Sequence, residues 1–296
     1  MRFLIVRKAD TDSEAGASPS RDLVDAMAEH LDTLAADGRF LAGEGLKPSR
    51  DGVRIHFADG RKPVMVDGPF PETKELVAGF SIIEADSMEQ AVAWVSGWPA
   101  EDAHGAAEVE VRPLGCPGGL SGFGNPAEGD SELPRYMVML KANERSETDF
   151  DPGPDVLGKM MEANKAGHEA GFLIAGFGLS SSRHAKRVRF SKGHATVMDG
   201  PFAEIKEMVA GFWVLRVASL DEVIAWTQTY PFPDGDAASA QRGEQLPHGI
   251  QRSAFQAGVV AVGGGKGLRP GNDLVGWGHA PNTESCNHFL DFCGRP

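Results

Sequence analysis

Apolar and polar positions along the chain follow two rhythms, and the same succession of rhythms occurs twice. A short apolar run at residues 3–7, bounded by charge, is typical of a strand. Residues 20–38 then place Leu23, Met27 and Leu31 on one face of a helix, which Ser20 can cap at its start. The chain is therefore predicted to begin with a strand followed by an amphipathic helix.

The remainder of the first copy is predicted to form short strands, one tight turn and a second helix. The helix begins at Ser87, where Ser-x-x-Gln resembles a capping box, and Ser219 with Glu222 repeats this signal in the second copy. Strands are predicted at residues 39–46, 53–57, 63–66, 77–85 and 107–114. The order βαβ, hairpin, βαβ predicts an α+β fold of the split βαβ, or ferredoxin-like, type.

The internal repeat divides the chain. "RFLIVRKAD" at Arg2 matches "RYMVMLKAN" at Arg135, and "MVDGPFPETKELVAGF" at residues 65–80 returns as "VMDGPFAEIKEMVAGF". We therefore expect a first unit, a Gly/Pro-rich linker, a second unit and a tail, with these bounds: 1–114, 115–132, 133–236 and 237–296.

The second copy shows no alternating pattern for a last strand after Pro231. The tail from residue 237 is accordingly expected to be irregular, as an appendage without regular structure or as the product of a shifted reading frame.

Composition and charge narrow the function classes. The chain is 41% hydrophobic and 24% charged, and its formal net charge of -13 disfavours nucleic acid and anionic membrane surfaces as partners. One basic cluster, residues 183–194, departs from this balance, but the alternation of Arg187 and Arg189 with Val188 and Phe190 predicts the solvent face of a strand.

The cysteines and the first residues bear on metal binding and on the cellular location of the protein. Cys116, Cys286 and Cys293 have neither the even number of a disulfide framework nor the spacing of a zinc site, so we expect no metal and no cofactor. The first apolar run is too short for a secretion signal or a membrane span. A cytoplasmic location is the expectation.

Four stretches carry a family resemblance: "GEGL" at 43–46, "VDGPFPETKE" at 66–75, "AGFSIIEA" at 78–85 and "EVEVRPL" at 108–114. Over residues 1–114 and 133–231 the chain resembles the DGPF type of the YCII-related family. The resemblance implies ferredoxin-like units that pair sheet to sheet into a dimeric α+β barrel with a cleft. Two copies in one chain would form this barrel within a single molecule, as a pseudo-dimer.

The resemblance also points to one catalytic candidate. Enzyme-like relatives, which include a dehydrochlorinase, carry a histidine on the first helix and an aspartate directly before a proline after the second helix. His30 matches the histidine, whereas Trp98 and Tyr230 stand at the two aspartate positions. Whether the protein is an enzyme therefore stays open, and any such site is expected in the first copy, because the second has Ala163 in place of His30.

The other site candidates surround the expected cleft. Glu44, replaced by Phe177 in the second copy, is polar, and the aspartates of the two DGPF turns either fix the turn backbone or form polar walls. The ligand-binding candidates are Glu44, Asp67, Phe70, Phe80, Asp199 and Phe202.

Two functions fit these residues. One is a small-molecule-binding protein with lyase-type acid/base chemistry in the first unit as an option. The alternative is a non-catalytic regulatory or partner-binding module, and because DGPF-type genes often accompany extracytoplasmic-function sigma factors, a sigma factor is its candidate partner.

Overall fold

Both copies of the repeat form the strands and helices that their residue pattern predicts, and the structure adds a short helix to the first copy and a further strand at the end of the second. The computed structural model describes residues 1–57, 62–71, 76–114, 120–121, 133–148, 153–205, 208–232 and 236–244. The first unit contains β1 (Arg2–Lys8), α1 (Thr11–Ala15), α2 (Arg21–Ala35), β2 (Phe40–Leu46), β3 (Val53–His56), β4 (Val64–Asp67), β5 (Val77–Glu84), α3 (Met88–Val95) and β6 (Glu108–Pro113). A two-residue strand, β7 (Leu120–Ser121), lies within the predicted linker.

The second unit repeats this order without a counterpart of α1 among the described α-helices. It contains β8 (Arg135–Lys141), α4 (Pro154–Glu169), β9 (Leu173–Gly178), β10 (Lys186–Ser191), β11 (His194–Asp199), β12 (Val209–Arg216), α5 (Leu220–Thr229) and β13 (Ala237–Glu244).

Serine caps fix three helix starts. The side chains of Ser20, Ser87 and Ser219 each accept a hydrogen bond from the backbone N–H three residues on, at 3.1–3.3 Å. These bonds satisfy backbone donors that the first helical turn leaves free. The predicted starts of α2, α3 and α5 are therefore confirmed.

The strands form a curled antiparallel sheet in which both units have the same internal order. The first unit is ordered β6-β1-β5-β2 and the second β13-β8-β12-β9, which is the order expected of a split βαβ unit. β13 joins the two halves by pairing with β2 at Gly243↔Leu46. The predicted α+β class is confirmed.

The hairpin between the two βαβ halves pairs with the opposite unit. β3 pairs with β13 of the second unit, with Ile55 opposite Ala238, and β10 pairs with β6 of the first unit, with Val188 opposite Val109. Each hairpin thus extends the sheet of the other copy. The sequence pattern predicted the hairpins but not this exchange.

β13 corrects the expectation for the second unit. The prediction of an irregular chain from residue 237 is wrong for residues 237–244, which form a strand against β8 and β3. The alternation was missed because the strand is buried on both faces: Ala238 and Ala240 are fully buried, and the polar side chains of Ser239 and Gln241 are 8% and 2% exposed. Residues 245–296, and the predicted linker other than β7, lie outside the described residues.

Apolar side chains form three layers on the two faces of the sheet. The shared core contains residues of both units, among them Leu4, Phe80, Met137 and Phe212. The first helix layer packs α2 and α3 on the first unit and contains Phe3, Ile5, Ile83, Ala91 and Val95. The second helix layer packs α4 and α5 on the second unit and contains Val138, Trp213, Leu215, Val223 and Tyr230. Successive residues of β1 alternate between the first helix layer and the shared core, as the pleat requires.

Candidate functional site

His30 lies in the first helix layer, where α2 meets α3. Its ring stacks on Trp94, with ring centroids 4.3 Å apart and an interplanar angle of 19°, and makes an edge contact with Trp98 at 5.6 Å. The indole N–H of Trp94 in turn donates to Thr33 Oγ1 at 3.0 Å. Two tryptophans therefore hold the imidazole in one orientation.

The imidazole of His30 is buried enough to change its protonation. Burial lowers the pKa of His30 to about 4, because the charged form loses its hydration. Its Nε2 atom is buried and makes no hydrogen bond to any of the described residues. The ring is consequently neutral at neutral pH and can accept or donate one more hydrogen bond, but it is a weak base for proton abstraction.

A carboxylate that the sequence analysis did not single out lies beside this aromatic cluster. Both oxygens of Asp102 accept hydrogen bonds from Arg7, at 2.7 and 2.9 Å, and Trp98 Nε1 donates to Asp102 at 2.8 Å. Asp102 follows Pro99 rather than preceding it, so the family position did not reveal it. Trp98 thus contacts His30 on its ring and Asp102 through its N–H.

The corresponding region of the second unit is closed by aromatic side chains. Trp213 occupies the position of Ser81 in the repeat, and its indole N–H donates to Asn164 Oδ1 at 3.0 Å. The hydroxyl of Tyr230 donates to the same oxygen at 3.0 Å, and the Trp213 and Tyr230 rings lie 4.9 Å apart. The helix layer of the second unit therefore contains a hydrogen-bonded aromatic cluster, whereas the helix layer of the first unit contains His30.

Glu44 lies on the other face of the sheet from His30. In the register of β2 and β5 it is opposite Phe80, a member of the shared core. Its carboxylate pairs with Arg135 of the second unit, and a Cβ added to Gly243 would come within 2.3 Å of Glu44 Oε2. The side chain joins the two units and does not contact the histidine.

The DGPF turns are held by a serine from another loop. Phe70 N–H donates to Ser49 Oγ at 3.2 Å, and Ser49 Oγ donates to the carboxylate of Glu14 at 2.6 Å. In the second unit Phe202 N–H donates to Ser182 Oγ at 3.2 Å, and that hydroxyl donates to Glu147. The same relay therefore fixes both turns.

Glycine is required in each turn by close backbone approach. A Cβ on Gly68 would lie 1.8 Å from the carbonyl oxygen of Ser49, and one on Gly200 would lie 1.7 Å from that of Ser182. The close approach of the two backbones explains why the glycine of the DGPF turn is present in both copies. The sequence offered two roles for the aspartate, and one of them was to fix the turn backbone by a hydrogen bond. In the structure, the serine makes such a bond to the turn.

The remaining polar candidates are exposed. Asp67 ends the exposed strand β4, and Asp199 accepts a hydrogen bond from Lys186 across its own hairpin at 2.6 Å. An exposed ion pair of this kind contributes little stability. Neither aspartate belongs to the helix layer that contains His30.

The phenylalanine candidates lie on the side of the shared core. The guanidinium of Arg54 lies over the Phe70 ring at 4.3 Å, and that of Arg187 lies over Phe202 at 4.1 Å. Phe80 lies 6.3 Å from Phe212 within the core. The prediction that Arg187 faces solvent is wrong: it is 4% exposed, because β10 packs on the first unit and brings this side chain to Glu110.

The structure therefore brings His30 together with two tryptophans and, through one of them, with the Arg7–Asp102 pair. It does not bring it to the other candidates, namely Glu44, Asp67, Phe70, Phe80, Asp199 and Phe202. Within the described ranges, no three His, Cys, Asp or Glu side chains converge in a way that could hold a metal ion. None of the helices in that part of the chain is both long and apolar enough to cross a membrane.

These features define an α+β protein built from a duplicated split βαβ unit with one aromatic-lined histidine. The sequence model of the YCII-related domain matches residues 1–115 and again residues 135–241, so the chain belongs to the YCII-related family. It is also similar to the uncharacterized protein R00369 of Rhizobium meliloti (strain 1021), with 42% identity over 66 residues. That match covers 22% of this chain and 48% of the relative, so the chain spans about half of its length.

Proposed function

We propose that this protein binds a small molecule in the first helix layer, with His30 as the polar contact and Trp94 and Trp98 as the apolar walls. The observation that carries the proposal is the buried Nε2 of His30, which makes no hydrogen bond to any described residue. A buried polar atom of this kind costs about 1–3 kcal/mol unless a partner satisfies it. A ligand that carries one hydroxyl or carbonyl group would supply that partner.

A comparison with the second unit supports placing the proposed ligand site in the first unit. Its Asn164 oxygen already accepts two hydrogen bonds, from Trp213 and Tyr230, and large aromatic rings fill the layer around it. Binding is favoured over lyase chemistry, because the lowered pKa of His30 leaves a weak base and Arg7 neutralises the nearby carboxylate of Asp102. Acid/base catalysis through His30 stays a hypothesis of second rank.

A flat probe with a single hydroxyl tests this proposal. Phenol should raise the melting temperature and quench tryptophan fluorescence of the wild type, whereas cyclohexanol, which lacks the aromatic face, should do so less. His30→Ala should remove the response to phenol. The matched control is Asn164→Ala in the second unit, which should retain it. An equal response in the wild type and in His30→Ala would reject the site.

We further propose that the two units form a closed barrel within one chain. The proposal is supported by the pairing of β13 with β2, by the isolated bridge between Leu114 and Leu179, and by a shared core drawn from both units. Light scattering should then give the mass of one chain, 31.5 kDa, at working concentration. A stable species of twice that mass would contradict the pseudo-dimer. A cytoplasmic location stays part of the same proposal.

The alternative, a regulatory module that binds a protein partner, has one observation in its favour. β4 pairs only with β3 among the described strands, and Val64, Met65 and Val66 are 44–57% exposed on it. An apolar edge strand of this kind can pair with a strand of another protein. Mixing with an extracytoplasmic-function sigma factor should give a complex by size-exclusion chromatography that Met65→Lys weakens, while the phenol response of His30 stays unchanged.

A further inference from the structure

Trp98 contacts both His30 and Asp102, but its one polar group is used by Asp102. The ring of Trp98 lies at an interplanar angle of 68° to that of His30, with the centroids 5.6 Å apart. An indole has a single hydrogen-bond donor and no acceptor, and Trp98 Nε1 donates to Asp102 Oδ2 at 2.8 Å. The donor nearest to the histidine in this aromatic pair is therefore already engaged, while the buried Nε2 of His30 makes no hydrogen bond to any described residue.

The equivalent aromatic residue of the second unit directs its polar group into the helix layer instead. Tyr230 is the repeat equivalent of Trp98, and its hydroxyl donates to Asn164 Oδ1 at 3.0 Å. Asn164 directly follows Ala163, which stands at the position of His30. In the second unit this aromatic residue thus satisfies the polar side chain of the layer, and in the first unit it does not.

Arg7 holds Asp102 in the place where the carboxylate binds the indole. The Nε and Nη2 atoms of Arg7 donate to the two oxygens of Asp102 at 2.9 and 2.7 Å, and the two side chains are 10% and 11% exposed. A bidentate pair of this kind fixes the orientation of the carboxylate as well as its charge. In the second unit Leu140 stands at the position of Arg7, so the cation of the pair has no counterpart at that position.

The backbone that follows this carboxylate adopts a conformation that is costly for its residues. Ala103, His104 and Gly105 have φ angles of 48°, 53° and 78°, and only the glycine adopts this left-handed region without a steric penalty. Such strain persists where surrounding contacts over-determine the conformation. The bidentate pair of Asp102 with Arg7 is a contact of that kind, so the turn is held in place at a cost.

We propose that Asp102 is a positioning residue for the site at His30: it binds the indole N–H of Trp98 and thereby leaves the buried Nε2 available to a ligand. The inference rests on the proposed function, in which a ligand supplies the hydrogen bond to Nε2. Without the carboxylate, the Trp98 ring turns its N–H toward Nε2 and competes with the ligand, as Tyr230 satisfies Asn164 in the second unit. Because an indole can only donate, the competing ligand group is a hydroxyl donor.

Calorimetric titration with phenol measures this competition. Asp102→Ala should raise the dissociation constant by about tenfold, since the ligand must then displace a hydrogen bond within the protein. In the Trp98→Phe background, where the ring has no N–H, the same substitution should leave the constant unchanged. Asp10→Asn alters the other partner of Arg7 and is the matched control, which should bind phenol as the wild type does. A merely structural role of Asp102 would weaken binding equally in both backgrounds, and that result overturns the proposal.

A second measurement needs no ligand and separates this inference from the proposed function. The NMR resonance of His30 Nε2 should move in Asp102→Ala, because the atom then accepts a hydrogen bond, and it should not move when Asp102→Ala is made in the Trp98→Phe background. If this pattern is found but phenol does not bind the wild type, the proposed function fails and the positioning role stands. If phenol binds and the resonance does not move in Asp102→Ala, the positioning role alone is overturned.

A charge-balanced variant covers the case in which Asp102→Ala does not fold. Arg7→Met/Asp102→Ala removes both partners and avoids a buried cation without its counter-charge. It should weaken phenol binding when Trp98 is present and have no effect on binding when Trp98 is replaced by phenylalanine. The same change in both backgrounds would overturn the proposal as well.

Discussion

The two helix layers have the same architecture but different chemistry. In the second unit, Trp213, Tyr230 and Asn164 form a hydrogen-bonded aromatic cluster under α4 and α5. In the first unit the position of Trp213 is held by Ser81, and the layer contains a neutral imidazole with one buried atom lacking a bond to the described residues. The comparison teaches that hydrogen-bonded aromatic side chains fill one layer, whereas the other has a small serine at the equivalent sheet position and an ionisable ring packed between tryptophans.

The largest expected effect is a difference in the free energy of unfolding that equivalent substitutions cost in the two helix layers. Trp213→Ala should lower the free energy of unfolding by about 3–5 kcal/mol, because it leaves a cavity and removes a donor from Asn164. Ser81→Ala at the equivalent position of the first unit should cost less than about 1 kcal/mol, since only a hydroxyl is lost. Urea unfolding of both variants measures the difference. Equal costs would mean that the first layer is packed as tightly as the second.

A smaller effect is expected at the ion pair of the first layer. Asp102→Asn removes the charge that Arg7 and Trp98 bind, and it should cost about 1.5–3 kcal/mol, because Arg7 keeps its second partner Asp10. Asp10→Asn, at the more exposed end of the same guanidinium, is the matched control and should cost less. If Asp102→Asn proves neutral in urea unfolding, the pair orders the loop without stabilising it.

The pH dependence should sharpen the comparison further. The folded-state pKa of His30 is lowered to about 4 from 6.5, so the unfolded chain binds an extra proton between these values. This contribution to stability is present above about pH 6.5 and is lost as the pH falls toward 4. Between pH 7 and pH 5 the wild type should lose about 2 kcal/mol more than His30→Asn, which keeps a polar side chain that does not titrate. Parallel losses in the two proteins would show that the imidazole is charged in the folded state.

Local rules predicted most of the elements. The serine caps, the helix face of α2 and the strand order within each unit follow from patterns a few residues long, and the structure agrees with them. The exchange of hairpins was not predictable in this way, because nothing within residues 53–67 indicates which distant strand they will meet. The strand β13 was not predicted for a related reason, because its polar residues Ser239 and Gln241 are buried by that same exchange.

The positions of the candidate residues were predicted in part. Placing His30 on the buried face of the first helix was correct, whereas the expected company of Glu44 was wrong, because the two residues lie on opposite faces of the sheet. Asp102 was missed although a signal exists. Arg7 falls on the same face of β1 as Phe3 and Ile5, and a cation at a buried position requires an acidic partner nearby in space.

The exchanged hairpins impose an order on how the chain is completed during synthesis. β3 cannot find its partner until β13 has been made, and the neighbouring contact of Lys47 with Glu244 joins positions 197 residues apart. At the usual rate of translation the ribosome needs roughly ten to forty seconds to cover that distance. Throughout that time the apolar hairpin of the first unit lacks the strand with which it pairs, and the nascent chain is exposed to misassociation until β13 has been made.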